Sequence, residues 1–221
     1  LRTIRERMGE DAAVMIARAA ACPDKDKADL IYRMIVLGLH LKDGHRITGM
    51  LGDPVMQRMF ELGRKAGNIA MRYIEIIRFQ ELDSGALLAV IDPEADVLAL
   101  IASHFSNRLP LENWMIYDRR RQKAVIHPAG KGWFLVEEVD ERSVLEAEMS
   151  HEEAWYGELW KCFFKTLTIE ARVNQKLQTS LIPLKYRDFM KEFQNESLRE
   201  DCEKCQNKET KQEYEKQISQ E

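Results

Sequence analysis

Four polar side chains recur at intervals of four late in the chain: Thr166, Glu170, Asn174 and Gln178. If one helix carries them all, they share a face, because residues four apart are neighbours on a helical surface. With Arg172 close by, a carboxylate and two amides can form a polar pocket that positions a base edge or a water; for an enzyme of the hydrolytic or base-removing kind the roles follow. Glu170 is then the general base, Asn174 and Gln178 orient the substrate, and Arg172 faces developing negative charge. A helix that merely faces solvent carries the same pattern. His104, beside Phe105 and near Arg108, can meet a base or a phosphate; a histidine held at a helix end by the dipole is the simpler reading.

The densest cationic stretch is Asp118-Arg119-Arg120-Arg121-Gln122-Lys123. Guanidinium forks match phosphate oxygens, and each such contact releases counterions. Arg78 and Arg108 can add to this turn, and Lys176, Lys185 and Arg187 surround the late polar row. These nine cations are the expected nucleic-acid-binding set. Trp114, Tyr117 and Trp133 flank the turn, as stacking on unpaired bases requires, although aromatics in strands mostly belong to a core. Runs of charge are also commonly solvated turns and nothing more.

Other chemistries lack their residues. Cys202-x-x-Cys205 has no second pair or histidine half-site among Cys22, Cys162 and the five histidines, so no metal centre is expected. There is no phosphate-binding glycine loop, no G-x-S-x-G and no iron–sulfur cysteine spacing, and no cofactor is expected.

These residues need elements to hold them. Residues 24–40 place Leu30, Ile31, Met34, Ile35 and Leu37 at helical spacing, and Asp53-Pro54 opens a second helix running to about residue 70. The β-branched and aromatic run at 73–82, the turn Asp83-Ser84-Gly85 and the run at 86–91 predict a hairpin. Asp92-Pro93 restarts a helix whose face is Val97, Leu98, Ile101 and Phe105. Strands at 114–117, 124–127 and 133–137 predict an antiparallel meander.

Ser150-x-x-Glu153 has capping-box spacing before an aromatic helix, with Trp155, Leu159, Phe163 and Leu167 on one stripe and Trp160 and Phe164 beside it. That helix is expected in the core. Past residue 193 eight acidic and five basic residues and few large apolar ones make a charged tail, helical or disordered. The expected architecture is one α+β domain over residues 1–193, a central antiparallel sheet flanked by N-terminal and C-terminal helices, followed by the tail at 194–221.

The chain has 221 residues, 45% hydrophobic and 32% charged, with a net charge of −4. That balance excludes collagen-like, disulfide-stapled and membrane-spanning classes, and removes the global basic excess that by itself points to nucleic acid. Four cysteines and no visible leader predict a reduced, cytoplasmic protein. The opening Leu1 in place of methionine predicts a missing natural start.

The run ELWKCFFKTLTIEARVNQKLQTSLIPLKYRDFMK at 158–191 resembles the C-terminal block of a bacterial domain of unknown function found in proteins assigned to DNA metabolism or DNA repair. DPVMQRMFELGRKAG at 53–67 and RFQEL at 78–82 match as well. So does the series from Asp92-Pro93 through Ala102-Ser103-His104-Phe105 and Arg108 to Trp114, Ile116, Asp118 and Arg120. The similarity spans about residues 24–193. It implies a partner, since genes of this family accompany a radical-SAM protein assigned to DNA modification or repair, and the domain is sometimes fused to a uracil-DNA-glycosylase-like region.

The chain departs from the family where Gln175 instead of proline follows Asn174, in lacking an initial strand and helix, and in the tail. The resemblance names no catalytic residue. It implies a DNA-repair or DNA-metabolism protein that binds nucleic acid or a damaged nucleotide and acts with the radical-SAM partner; a base-removing or hydrolytic enzyme and a protein-binding module are the alternatives.

Overall fold

The computed structural model describes residues 2–169, 173–187, 190 and 193. They divide between two compact units, one of Leu1–Glu75 and Leu87–Glu146, the other of Ile76–Ala86 and Ala147–Glu221.

The first unit begins with α1 (Arg2–Met8), α2 (Glu10–Ala21), α3 (Lys27–His40), a 3₁₀ turn at Gly44–Gly49 and α4 (Pro54–Ile76). Their shared core is built from methionine and alanine. Met8, Ala12, Met15, Ile16, Ala19, Met34, Ile47, Met56, Met59, Leu62 and Ala66 are buried together, unbranched thioethers filling gaps that small alanines leave between closely spaced helices. Cys22 joins this core, its thiol donating to the Leu62 carbonyl at 3.0 Å. Burial pushes that thiol above its ordinary pKa, so it remains protonated and is no nucleophile.

Asp53 starts α4 as the sequence predicts: its Oδ1 accepts from the backbone N–H of Val55 (2.8 Å) and Met56 (3.2 Å), satisfying donors a helix start leaves over. The helix ends later than its sequence indicates. Residues 73–76, expected to be strand, are helical, because Tyr73 and Ile76 continue the buried stripe of Met59, Leu62, Ala66 and Ala70. Burial on that face outweighs the β preference of tyrosine and isoleucine.

Beyond α4 come β1 (Gln80–Glu81), β2 (Leu87–Ile91), α5 (Leu98–Arg108), β3 (Trp114–Asp118), β4 (Lys123–His127), β5 (Phe134–Val136) and α6 (Glu141–Leu145). The strands form one open sheet in the order β1-β2-β3-β4-β5. The meander of β3, β4 and β5 is antiparallel as expected, Trp114 facing His127 and Val125 facing Leu135. The expectation of a wholly antiparallel sheet is corrected at β2 and β3, which run parallel from Leu87 against Trp114 to Ile91 against Asp118. The 22 residues between them include α5, long enough for the crossover a parallel pair requires.

α5 begins at Leu98, not at Asp92-Pro93. The Asp92 carboxylate is taken by the Arg120 guanidinium at 2.7 Å, and the carbonyls of Pro93 and Glu94 accept from Arg121; the segment is a tethered loop. The face of α5 is the expected one, with Val97, Leu98, Ile101 and Phe105 buried. Trp114 and Tyr117, considered for base stacking, are fully buried. The Trp114 ring stacks on His127 at 5.0 Å with the planes 5° apart.

In the second unit, Leu82 N–H donates to the Ala86 carbonyl around a turn whose Gly85 has φ +73°, a conformation open to glycine. Ser150 N–H donates to the Glu81 carbonyl, and Leu82 bridges Met149. There follow α7 (His151–Leu167), α8 (Gln175–Leu181) and α9 (Leu184–Arg187). Among the described residues no helix is long and apolar enough to cross a membrane.

Candidate functional site

The cationic turn is present, and its charges are already engaged. Arg119 Nε lies 2.6 Å from Glu141, Arg120 Nε 2.7 Å from Asp92, Arg121 Nη1 2.9 Å from Asp118, and Lys123 Nζ 2.9 Å from Glu137. The depression beside Arg119 is lined by Arg119, Gln122, Arg142, Asp140, Glu141 and Glu146, three carboxylates against two guanidinium groups. Each of the four cations thus already has a carboxylate partner, so a phosphate arriving here competes with those carboxylates, although exposed pairs are individually weak.

Asp118 organises the turn from below. It is fully buried, and its Oδ1 accepts from the backbone N–H of Arg120 (3.0 Å) and Arg121 (3.2 Å). Burial raises its carboxyl above the ordinary range, more strongly than the Arg121 guanidinium lowers it. Between the ordinary and raised values the native state holds a proton that the unfolded chain has released, so stability falls as pH rises through that window. Asp118→Asn keeps an oxygen for the two backbone donors and removes the charge. The variant is therefore expected to gain stability relative to the parent as pH is raised from about 3 through the carboxylate range. Unfolding midpoints measured across that interval check this; a difference independent of pH contradicts it.

His104 and Arg108 lie on α5, both exposed, with the His104 ring edge-on to Phe105 at 5.1 Å. In the second unit Arg78 is exposed, with Lys176 and Lys185 exposed on α8 and α9. Arg187 donates from Nη2 to Thr179 and covers the Phe193 ring at 4.8 Å. The nine cations thus fall into separate groups, Arg108, Arg119, Arg120, Arg121 and Lys123 in the first unit and Arg78, Lys176, Lys185 and Arg187 in the second.

The late polar row does not form one face. α7 stops at Leu167, and Asn174, in extended conformation, caps α8 with its Oδ1 accepting from Leu177 N–H at 3.0 Å. An amide so engaged serves the backbone. Thr166 donates to the Cys162 carbonyl within α7, and Gln178 stands half-buried on α8. Glu170 and Arg172, the expected base and its cationic partner, lie outside the described residues. So do Cys202, Cys205 and the charged tail. Among the described residues no group of three or more His, Cys, Asp or Glu side chains is placed to hold a metal.

The feature that the sequence misassigned is α7. The serine half of its capping box forms, Glu153 N–H donating to Ser150 Oγ at 3.1 Å, while the Ser150 N–H goes to the Glu81 carbonyl; yet the stripe expected in the core faces solvent. Trp155 is 41% exposed, Tyr156 58%, Trp160 44% and Phe163 52%, with Leu159 and Leu167 exposed beside them. At 3.6 residues per turn these six side chains occupy an arc of about 140°. Along one edge of the stripe runs an almost wholly apolar groove of about 640 Å³, lined by Arg78, Phe79, Glu153, Tyr156, Leu159, Trp160 and Phe163. The spacing of these residues announces an apolar stripe; it does not say whether the stripe turns inward.

A model of a domain of unknown function, DUF4130, matches residues 25–192. The chain belongs to this family. The match includes residues of both units and every element from α3 to α9. No match is found among the curated proteins or among the solved structures.

Proposed function

We propose that this DUF4130 protein is an accessory of DNA repair or DNA modification that acts with a radical-SAM protein, and that the aromatic stripe of α7 is where the partner docks. The observation that supports the reading is the exposure of Trp155, Tyr156, Leu159, Trp160, Phe163 and Leu167 along one helix face. A contiguous apolar patch of this kind marks an interaction surface, and tryptophan and tyrosine dominate the binding energy of such surfaces. The resemblance of the chain to a family whose genes accompany a radical-SAM protein supplies the partner. Co-purification of the two proteins, undiminished by nuclease, is the expected result. Loss of the complex on nuclease treatment transfers the interaction to nucleic acid.

Direct binding of nucleic acid or a damaged nucleotide is the second reading. It draws support from residues 173–187, which carry Lys176, Lys185 and Arg187 and no carboxylate, on a chain that is acidic overall. Labelled single-stranded DNA is then expected to bind the full chain with an affinity that falls as salt rises. The Arg119, Arg120 and Arg121 alanine variants are expected to change it little, their partners being internal. A strong loss with these three variants restores the turn as the contact.

A further inference from the structure

The 3₁₀ turn at Gly44–Gly49 and the residues before it border a depression of about 750 Å³ lined by Leu41, Lys42, Asp43, His45, Arg46, Thr48, Gly49 and Met50. Its charges differ in kind from those of the 119–123 turn. Lys42, His45 and Arg46 are exposed, and among the described residues none of the three side chains forms an ion pair. The one carboxylate in the lining, Asp43, turns its Oδ1 back to accept from His45 N–H at 3.1 Å.

The loop is also fixed. Gly44 is buried, and a Cβ there would stand 2.3 Å from the Arg7 carbonyl oxygen and 2.9 Å from that of Gly38, while Ile47 is fully buried in the core below. The His45 ring lies against Gly9, where a Cβ would come within 2.8 Å of Nδ1. In 3₁₀ geometry residues three apart eclipse one another, which brings the His45 ring and the Thr48 hydroxyl to the same side of the turn.

We propose that this depression binds a phosphoryl group, with Lys42 and Arg46 supplying the charge and His45 and Thr48 the hydrogen bonds. A rigid backbone holding two cations that form no ion pair, with the single carboxylate of the lining turned to a backbone N–H, is an anion site largely organised, since no internal pair must open on binding. The apolar flanks Leu41 and Met50 leave room for what the phosphoryl group is attached to. That attachment is either a polynucleotide backbone or a free nucleotide, and the two sources share this chemistry. The inference stands apart from the partner-docking reading of α7, whose residues lie in the other unit.

The experiment titrates the full chain with thymidine monophosphate and with a twelve-residue oligothymidylate, at low and moderate salt, for the parent, a Lys42→Ala/Arg46→Ala variant and an Arg119→Ala/Arg120→Ala variant. Expected are binding of at least one probe, displacement of the His45 ring resonances by the same probe, and a loss of about tenfold or more in the 42/46 variant only. For the oligonucleotide the slope of log affinity against log salt falls in magnitude by about 0.7, the value for one lost single-strand phosphate contact. Binding of the monophosphate with no added affinity for the oligomer assigns a nucleotide source; higher affinity for the oligomer assigns a strand. Equal affinity of the parent and the 42/46 variant, an equal loss in the 119/120 variant, or binding of neither probe overturns the proposal. Since Lys42 and Arg46 are exposed and form no ion pair, the 42/46 variant should unfold at the parent temperature, which separates lost binding from lost fold.

Discussion

Trp160→Asp/Phe163→Asp is expected to abolish capture of the radical-SAM partner while leaving the chain folded, with a moderately lowered unfolding temperature. Both side chains are roughly half exposed on α7, so their removal costs the fold about half of what a fully buried pair would. At an interface the balance reverses. Truncating a buried aromatic anchor costs about 2 kcal/mol or more, and placing a carboxylate where the partner must exclude water adds a desolvation penalty. Two such positions correspond to a loss of at least about a hundredfold in affinity. The measurement is pull-down or titration with the purified partner beside thermal unfolding of the variant alone. A variant that unfolds several degrees lower while binding normally would return α7 to the core role its sequence pattern indicates and remove the docking reading.

Gly44→Ala is expected to produce the largest loss of stability among single methyl additions in the first unit. The added carbon would meet two backbone oxygens, those of Arg7 and Gly38, at 2.3 and 2.9 Å. Neither is the end of a side chain that can swing away. To make room, α1 or the end of α3 must shift, and both carry Met8 and Met34, buried in the common core. A cost of about 3 kcal/mol follows from such overpacking, or a fall of about 6–12 °C in the unfolding midpoint for a chain of this size. Gly49→Ala is the control, since a Cβ there meets nothing within 4 Å. Equal unfolding temperatures for the two variants would show that the 41–50 loop is not fixed by this contact, and would weaken the phosphoryl site that depends on its rigidity.

Much of the fold is legible in residue order because it rests on local rules. Asp53-Pro54 and Ser150-x-x-Glu153 fix two helix starts through hydrogen bonds only two or three residues long. The polar turn at 118–123 closes β3 on β4, and its backbone donors are met by Asp118 within the same six residues. α1 and α2 lie outside the helices expected from sequence, although Ala12, Met15, Ile16 and Ala19 recur at helical spacing; these small and unbranched side chains become a core where α3 and α4 lie against them. The parallel pairing of β2 with β3 likewise depends on where α5 returns the chain, which neither strand encodes.

The candidate sites divide the same way. Arg119 to Lys123 read as a phosphate grip because the carboxylates that occupy them stand at positions 92, 137 and 141, up to 28 residues away in sequence; only Asp118 is near. The row at 166, 170, 174 and 178 presumed a continuous helix, whereas Asn174 gives its oxygen to the start of α8. Lys42 and Arg46 lie in a stretch without periodicity, and their significance is that neither forms an ion pair while Asp43, the one carboxylate beside them, accepts from a backbone N–H.

By itself the sequence determined the starts of α4 and α7 and the meander of β3, β4 and β5, since each follows from side-chain and backbone chemistry within a few residues. Only the tertiary structure decided which charges are neutralised and which apolar stripe is left in water. Both are sums over neighbours far apart in the chain, and helical spacing reads the same whether a stripe turns inward or out.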